Sequence, residues 1–508
     1  MVQLLSELQS LHPISLSFLS ILFVLFLFKL TTSRTGKLNL PPSPWKLPVI
    51  GNLHQLGTLP HRSLQSLARK HGPLMLLHFG QSPTLIVSSV EGAKEILKTQ
   101  DLNFSDRPRM NFQDRLVYAN YHLAFSPYGE YWRQVRKVCV LQLLSQHRVN
   151  SFKSVRQEET DCMLSDIRQS ILSGSPIVNL SDLIFSFTND VTCRVTLGRK
   201  FGRDEGGKKF FKIIKEFMYF IGAFNIGDFI PSLAWINNFN GLNARMDKNF
   251  EELESFLGGV IEEHIQDRKT RKFGSEGVED FVDVLLGMEK DGSIGVPFAK
   301  DNIKALIMDM FLAATDTAAA TMTWAMTELV RHPEILKEVQ REVREVAKGK
   351  AHITEDDAAQ MHYMKNVIKE TLRVHTPGPL LIPHQSRDAT KLQGYDVPAK
   401  TRVIVNAWAI ARDPTVWEEP DEFRPKRFEN SSRDFKGNDF EYLPFGAGRR
   451  ICPGIAFANP TMELPLANLL YHFDWTLPNG EVPDVEEGLG IVAYKKSPLR
   501  VIATPYRV

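Results

Sequence analysis

The chain has 508 residues, of which 43% are apolar and 24% charged, a globular composition that allows one large domain or about three ordinary ones. Disordered, collagen-like and repeat architectures are excluded. The 61 basic and 59 acidic side chains leave a net charge of +2, which is too balanced for a protein that wraps nucleic acid. The cysteines Cys139, Cys162, Cys193 and Cys452 are widely spaced, which argues against a disulfide scaffold or structural zinc and favours a reducing compartment.

An apolar segment near the N-terminus predicts a membrane anchor. Residues 11–30 read LHPISLSFLSILFVLFLFKL, without a charged residue before Lys29, and about 20 such residues span a bilayer as a helix. Basic residues cluster after the segment, whereas Glu7 alone precedes it, so the positive-inside rule places the following chain in the cytosol. We expect an uncleaved anchor over residues 1–31; a removed secretory signal is the alternative.

Residues 32–50 predict a basic, proline-rich hinge after the anchor. Four prolines between residues 41 and 48 favour an extended, semi-rigid backbone. Such a hinge would orient the remaining chain, residues 51–508, on the membrane. A plain linker is the alternative.

The body of the chain is predicted to be mainly helical. Short apolar runs at Leu74–Phe79 and Thr84–Ser88 indicate a β-hairpin. Periodic apolar patterns then predict helices at Val90–Leu97, Tyr131–Leu144, Val155–Leu172, Asp182–Leu197, Phe210–Phe220, Met246–Arg268, Ile303–Arg331, Pro333–Val346 and Met364–Val374. The helix Ile303–Arg331 is long enough to form the axis of a domain.

Residues 210–240 are crowded with aromatic side chains, including Phe217, Phe220, Phe224 and Trp235. Ordinary core packing explains most of them. The alternative is a mobile lid, residues 210–240, whose apolar tip rests in the bilayer and admits lipophilic substrate.

A cysteine near the C-terminus lies in a loop suited to hold a flat ligand. Residues 445–454 read FGAGRRICPG, where the small residues allow a tight backbone, Arg450 can meet an anionic group and Cys452 can face a metal. A lone cysteine is more often buried and inert. Phe445, Gly448, Arg450, Cys452 and Gly454 together, however, match F-x-x-G-x-R-x-C-x-G, the haem-binding signature of the cytochrome P-450 family, which the chain resembles.

The resemblance implies haem b with the thiolate of Cys452 as axial ligand to iron, and Phe445 and Arg450 beside it. Trp132 and Arg136 resemble the family's W-x-x-x-R helix, whose side chains hold a haem propionate. His384 stands where many plant relatives carry arginine. We expect it either to donate one hydrogen bond to a propionate and titrate near neutral pH, or to lie exposed on the surface.

Two further motifs occur in the family's order. Glu370 and Arg373 form an E-x-x-R on one helix face, and with Arg427 they resemble the family's structural Glu-Arg-Arg triad, although a solvated pair is the alternative. In the long helix, Asp316 and Thr317 resemble the pair that delivers protons to the oxygen reduced at the haem.

Two alanines depart from the family pattern of the long helix. Ala314 replaces the usual glycine, and Ala318 replaces a frequent hydroxyl. We also expect the hydroxyl of Thr317 to bond the carbonyl of Ala313 and loosen the helix locally. The relay could instead be a buried polar pair without a catalytic role.

The resemblance covers the whole chain and is strongest to plant microsomal A-type enzymes of specialised metabolism. It implies a mainly α fold: one large domain with small β-sheets, preceded by one N-terminal transmembrane helix and anchored in the endoplasmic reticulum membrane with the catalytic domain in the cytosol. Electrons would come from NADPH through a membrane-bound cytochrome P-450 reductase, docked on a basic face with Arg133, Lys137 and Arg449 as candidates.

The implied reaction is monooxygenation of a lipophilic terpenoid, alkaloid, phenylpropanoid or coumarin. One alternative is a haem-thiolate enzyme that desaturates, closes rings or rearranges without net oxygen insertion, and another is a silent haem-binding protein. The family places five segments over the haem, and we expect them to select the substrate: Met110–Leu123, the lid, Met308–Thr317, Thr376–Ile382 and Leu489–Val492.

Overall fold

The computed structural model describes residues 38–506 except 117, 202–204, 223, 224, 271–277 and 489, together with Ser17, Ser20, Ile21, Phe23 and Val24, which are helical. The predicted anchor, residues 1–31, otherwise lies outside the described residues. So do the first residues of the predicted hinge.

The body is organised around one long helix, α12 (Lys300–Arg331). At 1.5 Å per residue its 32 residues extend about 48 Å, and it packs along α6 (Leu180–Leu197). The helix is apolar enough to cross a membrane, yet 78% of its most apolar window is buried inside the protein. It ends at the proline that begins α13 (Pro333–Ala347). The prediction of a core axis is confirmed.

Every predicted helix is present, with ends that differ by a few residues. Two of them are α-helical only in their first part: α2 (Val90–Lys94) and α3 (Glu130–Val138) each continue as one π-helical turn. The remaining helices are α1 (Pro60–His71), α4 (Gln146–Ser151), α5 (Lys153–Leu172), α7 (Glu205–Gly222), α8 (Ile226–Phe229), α9 (Ile236–Phe239), α10 (Leu242–Thr270), α11 (Phe281–Asp291), α14 (Glu355–Ala358), α15 (His362–Val374), α16 (Ala407–Ile410) and α17 (Ile455–His472).

The largest sheet contributes His384 to the wall of the cavity described below. Its strand order is β1 (Leu74–Phe79), β2 (Ser82–Val87), β7 (Arg402–Val405), β4 (His384–Gln385). The predicted hairpin is confirmed by the antiparallel pairing of β1 with β2, whereas β2 and β7 run parallel. The other sheets are β3 (Ile177–Asn179) with β11 (Arg500–Pro505) and β8 (Phe473–Thr476), β5 (Thr390–Leu392) with β6 (Tyr395–Val397), and β9 (Glu487–Gly488) with β10 (Tyr494–Lys495).

The described part of the hinge is hydrogen-bonded to two of these sheets. The backbone N–H of Leu76 in β1 donates to the carbonyl of Pro42 at 2.9 Å, and that of Asp396 in β6 donates to the carbonyl of Asn39 at 2.7 Å. The side chain of Asp396 accepts the N–H of Asn39 at 2.8 Å. Residues 39–42 therefore belong to the folded body.

The sequence did not predict α17, which follows the cysteine loop directly. Pro460 and Pro465 lie inside it, and proline removes a backbone donor and breaks most helices. The helix survives because it is buried on most sides, including Leu464, Leu466 and Leu469, so tertiary packing outweighs local propensity.

Glu370, Arg373 and Arg427 form one fully hydrogen-bonded cluster. Arg373 on α15 makes two parallel bonds of 2.8 Å to the carboxylate of Glu370, and Arg427 donates a third, also at 2.8 Å. Both Glu370 and Arg373 are completely buried. Arg373 also donates to the carbonyls of Ala411 and Pro420 at 2.8 and 2.7 Å. The cluster ties α15 to the segment that leads into the cysteine loop.

We predict that Glu370→Gln destabilises the protein by about 3–5 kcal/mol, because it leaves two buried guanidiniums without their shared charge. Denaturation midpoints measure the effect. The control is Glu486→Gln, which breaks an ion pair with Lys496 whose side chains are 65% and 64% exposed and should leave the midpoint unchanged. Equal midpoints for the two variants would contradict the prediction.

Candidate active site

The loop that carries Cys452 is shaped by two glycines with left-handed backbone. Gly446 and Gly448 both have φ of +69°, a conformation in which an L side chain is strained. A Cβ on Gly448 would also lie 2.1 Å from the carbonyl oxygen of Leu97. The N–H of Cys452 donates to the carbonyl of Phe445 at 2.9 Å, which closes the loop.

Burial and hydrogen bonding act in opposite directions on the Cys452 thiol. Burial raises the pKa of Cys452, while the N–H of Gly454 and the charge of Arg136 lower this pKa. The Gly454 N–H lies 3.4 Å from the sulfur. The N–H and the positive charge both favour the thiolate, against the effect of burial.

A cavity of about 280 Å³ lies between α12 and the cysteine loop. Most of the predicted site residues line it: Trp132, Arg136, Thr317, His384, Phe445, Arg450 and Cys452. Its wall also draws on all the predicted substrate segments except the lid. The segments therefore converge as predicted, but the described lid residues do not form this wall.

One side of the cavity holds three arginines close together. Arg136 and Arg450 were predicted, whereas Arg107 was missed, because it lies in a loop without a helical or strand pattern. Burial and the charges of Arg450 and Arg136 hold the pKa of Arg107 well below its usual value. Burial likewise lowers the pKa of Arg450 to about 10. Positive charge is therefore concentrated here.

These guanidiniums are held by backbone carbonyls. Arg450 donates to Ser105 at 2.8 Å and to Ser126 at 2.7 Å, and its guanidinium lies 4.1 Å from the centre of the Trp132 ring. Arg107 donates to Ile382 at 2.6 Å and to Pro383 at 2.9 Å. Such bonds use part of the donors and leave the positive charge uncompensated, so the cluster is complementary to an anionic ligand.

His384 corrects one expectation from the sequence. The residue is buried, and its Nδ1 lies 2.7 Å from the carbonyl oxygen of Phe104. Burial and the charges of Arg107 and Arg450 hold the pKa of His384 well below its usual value. The expected titration near neutral pH and the alternative of an exposed surface residue are therefore both wrong, because the ring is enclosed beside two cations and stays neutral.

The middle of α12 faces the cavity from the other side. The hydroxyl of Thr317 donates to the carbonyl of Ala313 at 2.5 Å, which confirms the predicted contact. Both residues line the cavity, and α12 remains continuous through them.

Asp316 does not line the cavity with its neighbour. Burial raises the pKa of the Asp316 carboxyl, and the charge of Lys215 on α7 lowers it. The structure thus places the two members of the predicted relay differently. Only Thr317 contacts the cavity directly.

The aromatic residues of the lid divide into two groups. Phe210, Phe217 and Phe220 are buried in the core, as the packing interpretation predicts, whereas Trp235 and Phe239 are exposed. Phe224 lies outside the described residues.

The residues present fit haem. Cys452, with one N–H donor and one nearby positive charge, faces the cavity from one side. A largely apolar helix face with the hydroxyls of Thr317 and Thr321 covers the other, and the partly buried cationic cluster at the edge suits two propionates. When bound, haem with a thiolate ligand supplies the activation of oxygen.

Comparison with known proteins agrees with this geometry. A family model described as Cytochrome P450 matches residues 41–502. Cytochrome P450 71A1 of Persea americana is 51% identical, with 96% of this chain and 98% of that protein covered. Norfluorocurarine oxidase of Strychnos sp. is 48% identical, covering 95% and 97%. Phenylacetaldehyde oxime monooxygenase of Prunus mume is 46% identical, covering 96% and 94%.

A solved structure has the same fold. A zebra fish cytochrome P450 determined with progesterone superposes with a TM-score of 0.76 at 26% identity, covering 88% of this chain and 99% of that one. The chain therefore belongs to the cytochrome P450 family and is a haem-thiolate monooxygenase, an oxidoreductase whose haem has a cysteine thiolate as ligand.

Proposed function

We propose that this protein is a membrane-anchored enzyme that uses electrons from NADPH and molecular oxygen to hydroxylate or otherwise oxidise a lipophilic plant specialised metabolite. The observation that carries the proposal is the cavity, which Cys452 and Thr317 both line. In it, Cys452 would ligate the haem iron with Phe445 beside the thiolate, and Arg136 and Arg450 would bind the propionates. Trp132 and His384 would lie beside them, with their N–H groups bonded to the carbonyls of Leu123 and Phe104. Asp316 and Thr317 deliver protons.

The cavity wall supports a lipophilic substrate. Beyond the cationic edge it consists mostly of aliphatic side chains, among them Leu312, Leu381 and Val492. Such a surface recognises shape and apolar area rather than charge. Terpenoid, alkaloid, phenylpropanoid and coumarin scaffolds all meet that condition.

A second reaction class has support from α12. Ala318 lines the cavity with a methyl group where a hydroxyl is frequent in the family, which leaves fewer groups to guide protons. Desaturation, ring closure or rearrangement without net oxygen insertion is the second candidate, and one relative is named an oxidase.

Membrane attachment is supported by exposed apolar side chains. Trp235 and Phe239 at the lid are 56% and 82% exposed and pack edge to face. Ile21 and Phe23 in the N-terminal segment are 58% and 61% exposed. We propose a single-pass anchor in the endoplasmic reticulum membrane with the catalytic domain in the cytosol.

The reductase is proposed to dock beside the cysteine loop. Arg133 and Lys137 are exposed on α3, the helix that carries Trp132 and Arg136 into the cavity. Arg449 is exposed on the cysteine loop and lies 3.2 Å from Asp101. This basic face suits the acidic surface of a flavoprotein partner, NADPH-cytochrome P-450 reductase.

The proposed reaction is tested with microsomes that contain this protein and a reductase, supplied with NADPH, isotopically heavy oxygen gas and a pooled panel of lipophilic plant metabolites. We expect a product with one labelled oxygen, detected by mass spectrometry. A product that has lost two hydrogens and carries no label would support the second candidate instead.

We predict that Thr317→Ala uncouples NADPH consumption from product and raises hydrogen peroxide, because the hydroxyl that faces the cavity is lost. The matched control is Thr327→Ala, whose hydroxyl makes the same bond to the carbonyl four residues back, at 2.7 Å, but does not line the cavity. Unchanged coupling in Thr317→Ala would remove this residue from the proton path.

Cys452→Ser should abolish the red-shifted Soret band of the ferrous CO complex, because a hydroxyl is a poorer donor to iron than a thiolate. Cys162→Ser, at an exposed cysteine, is the control and should keep the band. Retention of the band in Cys452→Ser would mean that another residue ligates the iron.

We expect turnover to fall as ionic strength rises, since exposed ion pairs are screened within about 8–10 Å. Arg133→Glu should raise the reductase concentration needed for half-maximal turnover, and Arg133→Lys should not. Salt-independent turnover, or equal behaviour of the two variants, would contradict docking at this face.

A further inference from the structure

A short loop, residues 122–126, holds the side chains at the haem edge. The carbonyl of Leu123 accepts the indole N–H of Trp132 at 3.0 Å and Nη1 of Arg450 at 3.3 Å. The carbonyl of Ala124 accepts Nε of Arg107 at 3.1 Å, and that of Ser126 accepts Nη2 of Arg450. We call residues 122–126 the carbonyl loop.

The carbonyl loop is attached to α12 through one carboxylate. Oδ2 of Asp309 accepts the backbone N–H of Leu123 at 2.5 Å, and its Oδ1 lies 3.2 Å from Nδ1 of His122. Asp309 and His122 are 4% and 0% exposed. Hydrogen bonds to a buried charge are stronger than neutral ones and costly to leave unmade.

The backbone N–H and C=O of Leu123, which belong to two successive peptide groups, therefore contact different parts of the site. The N–H is bound by a residue of α12, and the C=O binds Trp132 and Arg450. Asp309 itself lines the cavity, about 12 Å along the helix from Thr317. It takes no part in the proton path or the cationic cluster described above.

We propose that Asp309 is a positioning residue that fixes the haem edge through the carbonyl loop. Its carboxylate holds the Leu123 N–H in place, and the loop then presents its carbonyls to Trp132, Arg107 and Arg450 in the orientation that leaves the remaining guanidinium donors for the propionates. His122 donates from Nδ1 and orients the carboxylate.

This role follows from the geometry of the guanidinium group, which needs acceptors in fixed positions. A guanidinium has five donors in a fixed fork, so it is oriented only if the carbonyls it meets are themselves fixed. Residues 122–126 are largely buried but form no helix or strand that would hold these carbonyls. A charge-assisted bond to the central helix gives the carbonyl loop the rigidity of α12.

The test compares Asp309→Val, which has no acceptor, with Asp309→Asn, which keeps one oxygen for the Leu123 N–H and can donate to His122. The holoprotein is purified, and release of haem to apomyoglobin is timed. We expect roughly 10-fold faster release from Asp309→Val and a rate close to that of the unmodified protein from Asp309→Asn. The propionate bending bands in the resonance Raman spectrum should shift only in Asp309→Val.

The ferrous CO spectrum separates this role from an effect on the iron ligand. We expect both variants to keep the thiolate band, because Cys452 lies on another element. The proposal fails if Asp309→Val releases haem at the unmodified rate, if Asp309→Asn releases it as fast as Asp309→Val, or if the thiolate band is lost. None of these measurements needs a substrate, so they are independent of the proposed reaction.

A double-mutant cycle covers the case in which Asp309→Val does not fold. His122→Phe removes the imidazole contact to the carboxylate and keeps an aromatic ring, and Trp132→Phe removes the indole donor to Leu123 and keeps an aromatic ring beside Arg450. If the carboxylate acts through the backbone of Leu123, the effects of these two changes on haem release are non-additive. Strict additivity would overturn the proposal.

Discussion

The placement of one buried and two half-buried guanidinium groups beside one cavity is the constraint on which the site depends. Removing a charge from water is costly unless the charge is paired or fully hydrogen-bonded. The protein meets this cost with neutral carbonyl oxygens, which bind part of the donors and leave the positive charge available. A carboxylate in the same place would have cancelled the charge and competed with the propionates for it.

The Glu370 cluster solves the same problem in the opposite way. There Arg373 and Arg427 share one carboxylate at 2.8 Å. The single positive charge that remains is surrounded by backbone carbonyls. One arrangement binds a ligand and the other fixes the fold. The difference lies in the acceptor that faces the arginine, which cannot be read from the arginine itself.

Sequence patterns were informative where a short motif determines the local geometry. The E-x-x-R spacing places Glu370 and Arg373 on one helix face, and the bond from Thr317 to Ala313 follows from helical geometry, so both contacts could be predicted. Arg107 and the burial of His384 could not, because each depends on a loop folding against a distant strand or carbonyl. Asp309 did carry a signal, an acid in an apolar helix, but its partner at Leu123 lies 186 residues away in the chain. Helix α17 was missed because its prolines oppose helix formation locally, and only its packing overrides them.

The contacts of residues 39–42 have a practical meaning for handling the chain. Asn39 and Pro42 are hydrogen-bonded to β6 and β1, so the folded unit already includes the start of the proline-rich segment. A shortened chain that begins at residue 38 retains these bonds. One that begins at residue 51 leaves the backbone N–H groups of Leu76 and Asp396 without their acceptors. The cut point for a soluble form is therefore set by hydrogen bonding and lies well upstream of the boundary that composition suggests.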